Sequence, residues 1–161
     1  MKIYVFYCVF VCALACVTFI SADTVVKTLK DQKKRRDFID VCLSESNMTE
    51  EEGFEKEDII NNVHNQPENR EKWKKHGCFV ECFLKKLDWM EGSELMEEHI
   101  HGNITKVMKT HSLLPKAQKL IRDCSTKVRE ASADNCQRGG TALACVIQTI
   151  NDWDKDITFF E

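Results

Sequence analysis

The stretch His76-Gly-Cys-Phe-Val-Glu-Cys-Phe-Leu-Lys-Lys-Leu-Asp-Trp-Met90 decides how this chain is to be read. Its apolar positions recur at helical spacing, and Cys78 and Cys82 stand four apart, so both thiols leave one face of one helix. Three chemistries suit such a pair: metal ligation, a redox couple, or disulfides to two other segments. The compartment and the remaining cysteines choose between them.

Residues 1–22, MKIYVFYCVFVCALACVTFISA, carry one early charge at Lys2, an apolar run from Ile3 to Ile20, and small residues at Ser21 and Ala22. That pattern predicts a secretory signal cut after Ala22, and a membrane anchor is the lesser reading because no basic stop-transfer cluster follows. The expected mature chain, residues 23–161, keeps 22 basic residues against 26 acidic ones, a net charge of about −4. Nucleic acid is not an expected partner.

Of nine cysteines, Cys8, Cys12 and Cys16 lie in the signal, and six remain: Cys42, Cys78, Cys82, Cys124, Cys136 and Cys145. An even set in an exported domain of this size reads as a disulfide framework. Zinc is the weaker reading despite His76, because the other cysteines lack the close second pair of a structural site. No CxxC redox motif occurs. A bond between Cys78 and Cys82 would strain disulfide geometry, so each reaches a different segment; which segments stays open at this point. Each bond contributes about 2–4 kcal/mol.

Glycine and proline are sparse and no segment alternates over strand length, which predicts one all-α domain. A first helix is expected over about 24–43, with Val25, Leu29, Arg36, Ile39 and Leu43 near one face and KDQKKRRD solvated. The spacing of Thr49 and Glu52 predicts a capping box and a short second helix. A third helix over about 68–90 carries the opening stretch, with Glu81, Lys85 and Asp88 on its polar face. A fourth starts near Ser93 with Gly102 as a weak point; a fifth follows Pro115; a sixth is opened by Gly139 and Gly140.

The intervals between the six cysteines are 35, 3, 41, 11 and 8 residues. With the GCFVECFLKKLDWM segment and the predicted signal, they resemble the six-cysteine insect odorant-binding protein family of pheromone- and general odorant-binding proteins, over the whole mature chain. The resemblance implies a compact bundle of about six helices, cross-linked by three disulfides around an apolar cavity. It implies the pairing Cys42–Cys82, Cys78–Cys136 and Cys124–Cys145, a small hydrophobic ligand, and neither metal, cofactor nor catalytic centre. A membrane odorant receptor and a homodimer enter as partners on the same ground.

A carrier pocket needs apolar walls and adaptable side chains. The candidates are Phe79, Phe83, Met90, Leu95, Met108, Leu114, Leu120, Val146, Ile150 and Trp153, with Ile157, Phe159 and Phe160 of the tail as a closure. His99, His101 and His111 are the candidates for acid-triggered release. Asn47-Met-Thr49 and Asn103-Ile-Thr105 are acceptor sequences for N-glycosylation. The rival functions are weaker. No His-Asp dipeptide, Gly-x-Ser-x-Gly or His-Glu-x-x-His motif supports an enzyme, and the cysteine spacing departs from that of saposin-type membrane-active proteins. A signalling or venom-type protein acting through its surface is the main alternative.

Overall fold

The computed structural model describes residues 22–132 and 136–158, with side chains from 33 to 132 and 136 to 153. The expected signal therefore falls, but for its last residue, outside the described residues, as do Phe159 and Phe160; of Ile157 only the backbone is described. Six α-helices are described: α1 (Ala22–Glu45), α2 (Lys56–Ile60), α3 (Arg70–Lys86), α4 (Glu97–Val107), α5 (Leu114–Glu130) and α6 (Gln137–Thr158). The fold is all-α apart from one minimal antiparallel hairpin, β1 (Met90–Glu91) and β2 (Glu94–Leu95). α3 lies against α6, α6 against α5, α1 against α3, α4 against α5, and the short α2 against α6.

α1 ends in a reverse turn. Met48 N–H bonds to Leu43 C=O at 3.0 Å and Asn47 N–H to Ser44 C=O at 3.2 Å, while Asn47 takes a left-handed φ of 50°. This is the Schellman closure, with buried Leu43 and Met48 supplying its apolar contact and Asn, the best substitute for glycine, at the left-handed position. Of the basic run, Lys33, Lys34 and Arg36 are exposed and Arg35 is half-buried, so Arg36 does not join Leu43 on the buried side.

Several expected boundaries move. Thr49 N–H does donate to Glu52 Oε2 at 2.8 Å, but the cap starts only a 3-10 turn, Glu50–Glu52, because Gly53 is extended and interrupts it. The α-helix follows instead at Lys56–Ile60. α3 stops at Lys86, four residues short of expectation: Asp88 adopts φ 57° and turns the chain into the hairpin, whose Gly92 has φ 58°. Ser93 consequently lies in the hairpin loop, and α4 begins at Glu97.

Glu81 is the largest correction. Expected on a polar face, it is buried, and its Oε1 accepts Gly139 N–H at 3.2 Å. Gly139 belongs to the first turn of α6, where backbone donors lack helical partners and a carboxylate is favoured. Lys85 Nζ reaches the other oxygen at 3.5 Å. Glu81 can sit there because α3 and α6 meet at glycines: a Cβ on Gly139 would overlap the Gly77 carbonyl oxygen and lie 2.6 Å from Glu81 Cγ. A Cβ on Gly77 would overlap the Cys136 carbonyl oxygen.

Arg138, half-buried beside this crossing, donates to the carbonyls of Ala131 and Ser93, both at 3.1 Å. It thereby ties the end of α5 and the hairpin to the start of α6.

Gly102 is the opposite kind of glycine. It lies inside α4, exposed, and a Cβ there would meet nothing within 4 Å. Gly102→Ala is expected to stabilise the protein by about 0.5–1 kcal/mol through helix propensity and a stiffer unfolded chain. Urea denaturation checks it through an increased midpoint.

Candidate functional site

The cysteines join the helices in three bonds, Cys42–Cys82, Cys78–Cys136 and Cys124–Cys145, with Cα–Cα separations of 5.6, 4.8 and 5.7 Å. They are the pairs implied by the resemblance. Cys78 and Cys82 face different partners, α1 in one case and the start of α6 in the other. Engaged in disulfides, they are not thiolate ligands for a metal. Among the described residues, no three side chains of metal-binding type come together.

Among the described residues the apolar interior divides into three clusters. The first joins Leu84, Trp89, Met90, Ile100, Ile121, Val128 and Ala142, with half-buried Val80, Leu87, Leu95 and Ile104 packed on it. Two pocket candidates meet here, since Met90 and Leu95 are cross-strand partners in the hairpin. The third cluster forms about the Cys124–Cys145 bond and brings together four candidates: Leu120, which is buried, and Val146, Ile150 and Trp153, which are half-buried. Helical spacing along α5 and α6 carries these side chains to one side of each helix.

The other four candidates are placed apart. Phe79 and Phe83 stack on each other, one turn apart on α3, with ring centroids 6.2 Å apart and planes within 13°. Both are half-buried and belong to none of the three clusters. Met108 and Leu114 flank the α4–α5 turn, half-buried and likewise outside the clusters.

The remaining cluster holds none of the pocket candidates. Phe54, Ile59, Leu143 and Ile147 form its buried part, with Trp73 packed against it. Phe54 is edge-on to Trp73 at 5.5 Å and parallel to the His76 ring at 6.0 Å, and His64 lies 4.4 Å from Trp73. His76 Nδ1 accepts Phe54 N–H at 3.2 Å, which requires a neutral ring with its proton on Nε2. Burial holds the His76 pKa down at about 4, with the positive charge of Lys72 and the neighbouring His64 acting in the same direction. Lys72 itself stands over the Phe54 ring at 4.3 Å. Burial also lowers the His64 pKa, against a backbone hydrogen bond at Asp58 that raises it. The signal available in sequence was the spacing of Trp73 and His76, three apart on one helical face.

The histidines expected to act as a switch are elsewhere. His99 is exposed, with Nδ1 3.3 Å from the Asp88 carbonyl; His101 is half-buried; exposed His111 accepts Leu113 N–H at 3.2 Å. Asn47 is exposed in the turn after α1, and Asn103 is half-buried within α4.

This geometry suits apolar binding: a covalently braced set of helices with buried clusters rimmed by half-buried aliphatic and aromatic side chains. Among the described residues no helix is long and apolar enough to cross a membrane. Comparison with protein families matches residues 24–149 to the PBP/GOBP family. Among curated proteins, the chain is 25% identical over 139 residues to "Pheromone-binding protein Gp-9" of Solenopsis nigella gensterblumi, covering 85% of this chain and 87% of that one. It is 26% identical over 149 residues to the protein of the same name from Solenopsis globularia littoralis, covering 91% and 90%. No solved structure matches the chain.

Proposed function

This chain belongs to the PBP/GOBP family, and on that premise we propose that it is an exported carrier that binds small hydrophobic molecules of the odorant or pheromone kind and conveys them through aqueous extracellular fluid. The observation that carries the reading is the rim of half-buried apolar side chains on the interior clusters: Leu87, Leu95 and Ile104 on one, Val146, Ile150 and Trp153 on another. Such side chains gain by covering apolar surface, at about 25 cal/mol per Å² removed from water. Disulfides that link α1, α3, α5 and α6 favour the role, because cross-links offset part of the packing that a ligand space gives up. The names of the relatives point to the same ligand class.

Titration of the oxidised protein with an apolar fluorophore, followed by displacement with volatile alcohols, esters, aldehydes and fatty acids, tests the reading. Saturable binding at about micromolar Kd with selective displacement is expected. Trp153→Ala is expected to weaken binding about tenfold, by removing a large apolar contact from the rim. No saturable binding in correctly bridged protein would refute carriage and favour a secreted protein acting through its surface. The same titration at about pH 7.5 and about pH 5 tests release by His99, His101 and His111, and constant affinity would remove that role.

A further inference from the structure

We propose that Asn47 carries an N-linked glycan in the exported protein and that Asn103, the second acceptor sequence, does not. The inference rests on the export part of the reading above and is independent of ligand binding.

Before folding the two sequences, Asn47-Met-Thr49 and Asn103-Ile-Thr105, offer the same acceptor chemistry. They differ in what folding then demands. An N-glycan is a bulky, strongly hydrated group and is compatible with a surface turn. Asn47 and Thr49 are both exposed, in the turn that closes α1. The closure uses the backbone of Asn47, through its left-handed φ of 50° and its N–H bond to Ser44 C=O at 3.2 Å. Its apolar contact comes from the neighbouring Met48, which is buried. The side-chain amide of Asn47 is thus free to take a sugar without altering the turn, and the residue type is favoured there for a backbone reason of its own.

Asn103 meets the opposite conditions. It is half-buried within α4, three residues after Ile100 and adjacent to Ile104, both of which pack into the first cluster. In a helix, residues two apart point to nearly opposite sides, so the folded Asn103 and Thr105 diverge. A sugar on Asn103 would have to be accommodated at a half-buried position beside Ile100 and Ile104, which pack into the first cluster, so chains modified there fold less well and are depleted from the exported pool.

The test is expression of the full chain in insect cells and recovery from the medium. Peptide N-glycosidase treatment in heavy-oxygen water converts each formerly glycosylated Asn to a labelled Asp, located by peptide mass. The label is expected at Asn47 alone. Asn47→Gly, which keeps the left-handed turn, is expected to lose the glycan and retain the three disulfides; Asn103→Gln is expected to keep the glycan. Exported protein without sugar, label at Asn103, or a glycan that survives Asn47→Gly would overturn the proposal, as would a chain retained in the cell and unmodified. Fluorophore titration of the same samples reads carriage separately, so loss of ligand binding with the glycan present would refute only the carrier reading.

Discussion

Gly139→Ala is expected to destabilise the protein by about 3 kcal/mol, a loss of about 10 °C in Tm for a domain of this size. One methyl achieves this because of what surrounds it. The added carbon would overlap the Gly77 carbonyl oxygen and lie 2.9 Å from Glu81 N, both backbone atoms of α3 that no rotamer change can move. α3 and α6 would have to separate, stretching the bond from Glu81 Oε1 to Gly139 N–H and loading the Cys78–Cys136 link beside it. Gly140→Ala is the milder case, since the three atoms nearest its Cβ all belong to the Trp73 ring, at 2.9 to 3.0 Å, and a side chain can shift. Thermal unfolding of these variants beside Gly102→Ala compares the same methyl in closed and open space. If Gly139→Ala unfolds within a degree or two of the parent, the helix crossing is not close-packed and this account fails.

The second large effect is an acid-labile fold. His76 is neutral when folded, with a pKa held at about 4 against an ordinary 6.5. Above about pH 6.5 neither state takes up a proton at this site and it contributes no pH dependence. As pH falls from 6.5 towards 4, the unfolded chain protonates first, so stability drops; below about 4 both states are protonated and the loss is complete. At 1.36 kcal/mol per unit the total is about 3 kcal/mol. His64, whose pKa burial also lowers, adds to it in the same direction. The structural event is loss of the Nδ1 acceptor for Phe54 N–H, followed by expulsion of a charged ring from between Phe54, Trp73 and Phe79. Urea denaturation across this range should show a His76→Gln chain that is weaker at pH 7 yet distinctly flatter than the parent between pH 6.5 and 4. Parallel slopes for the two proteins would place the acid sensitivity elsewhere.

What the sequence made legible follows from which forces are local. α5 was readable because Ala117, Leu120, Ile121, Cys124 and Val128 repeat at steps of three and four, and all five are buried on one side of that helix, whereas Ala131, the expected next member of the series, lies just past its end and is half-buried. The disulfide partners came from the family likeness of the cysteine intervals, since local geometry excluded only the Cys78–Cys82 bond. The hairpin escaped because its strands are two residues long, too short for alternation to register, although Gly92-Ser93 was a turn signal. Glu81 and His76 escaped for a different reason. Both are polar by type, and only the approach of α6 to one and of Phe54 to the other supplies the partner that makes burial tolerable. Of the pocket candidates, Leu120 on α5 and Val146, Ile150 and Trp153 on α6 assembled because periodicity locates a helix's inner face; Leu114, in the first turn of α5, did not. Phe79 and Phe83 satisfied the same rule yet stand apart, because α3 is apolar on more than one side.

The pattern of cross-links also has a meaning as a wiring diagram. Cys42, Cys78 and Cys82 precede α4, while Cys124, Cys136 and Cys145 follow it, and among the described residues Cys78–Cys136 is the one strap between the two halves. A protease that cut the backbone once, anywhere between Cys82 and Cys124, would leave one covalent molecule that separates only on reduction. Two cuts, one on each side of α4, would free that helix as a linear peptide and leave everything else closed.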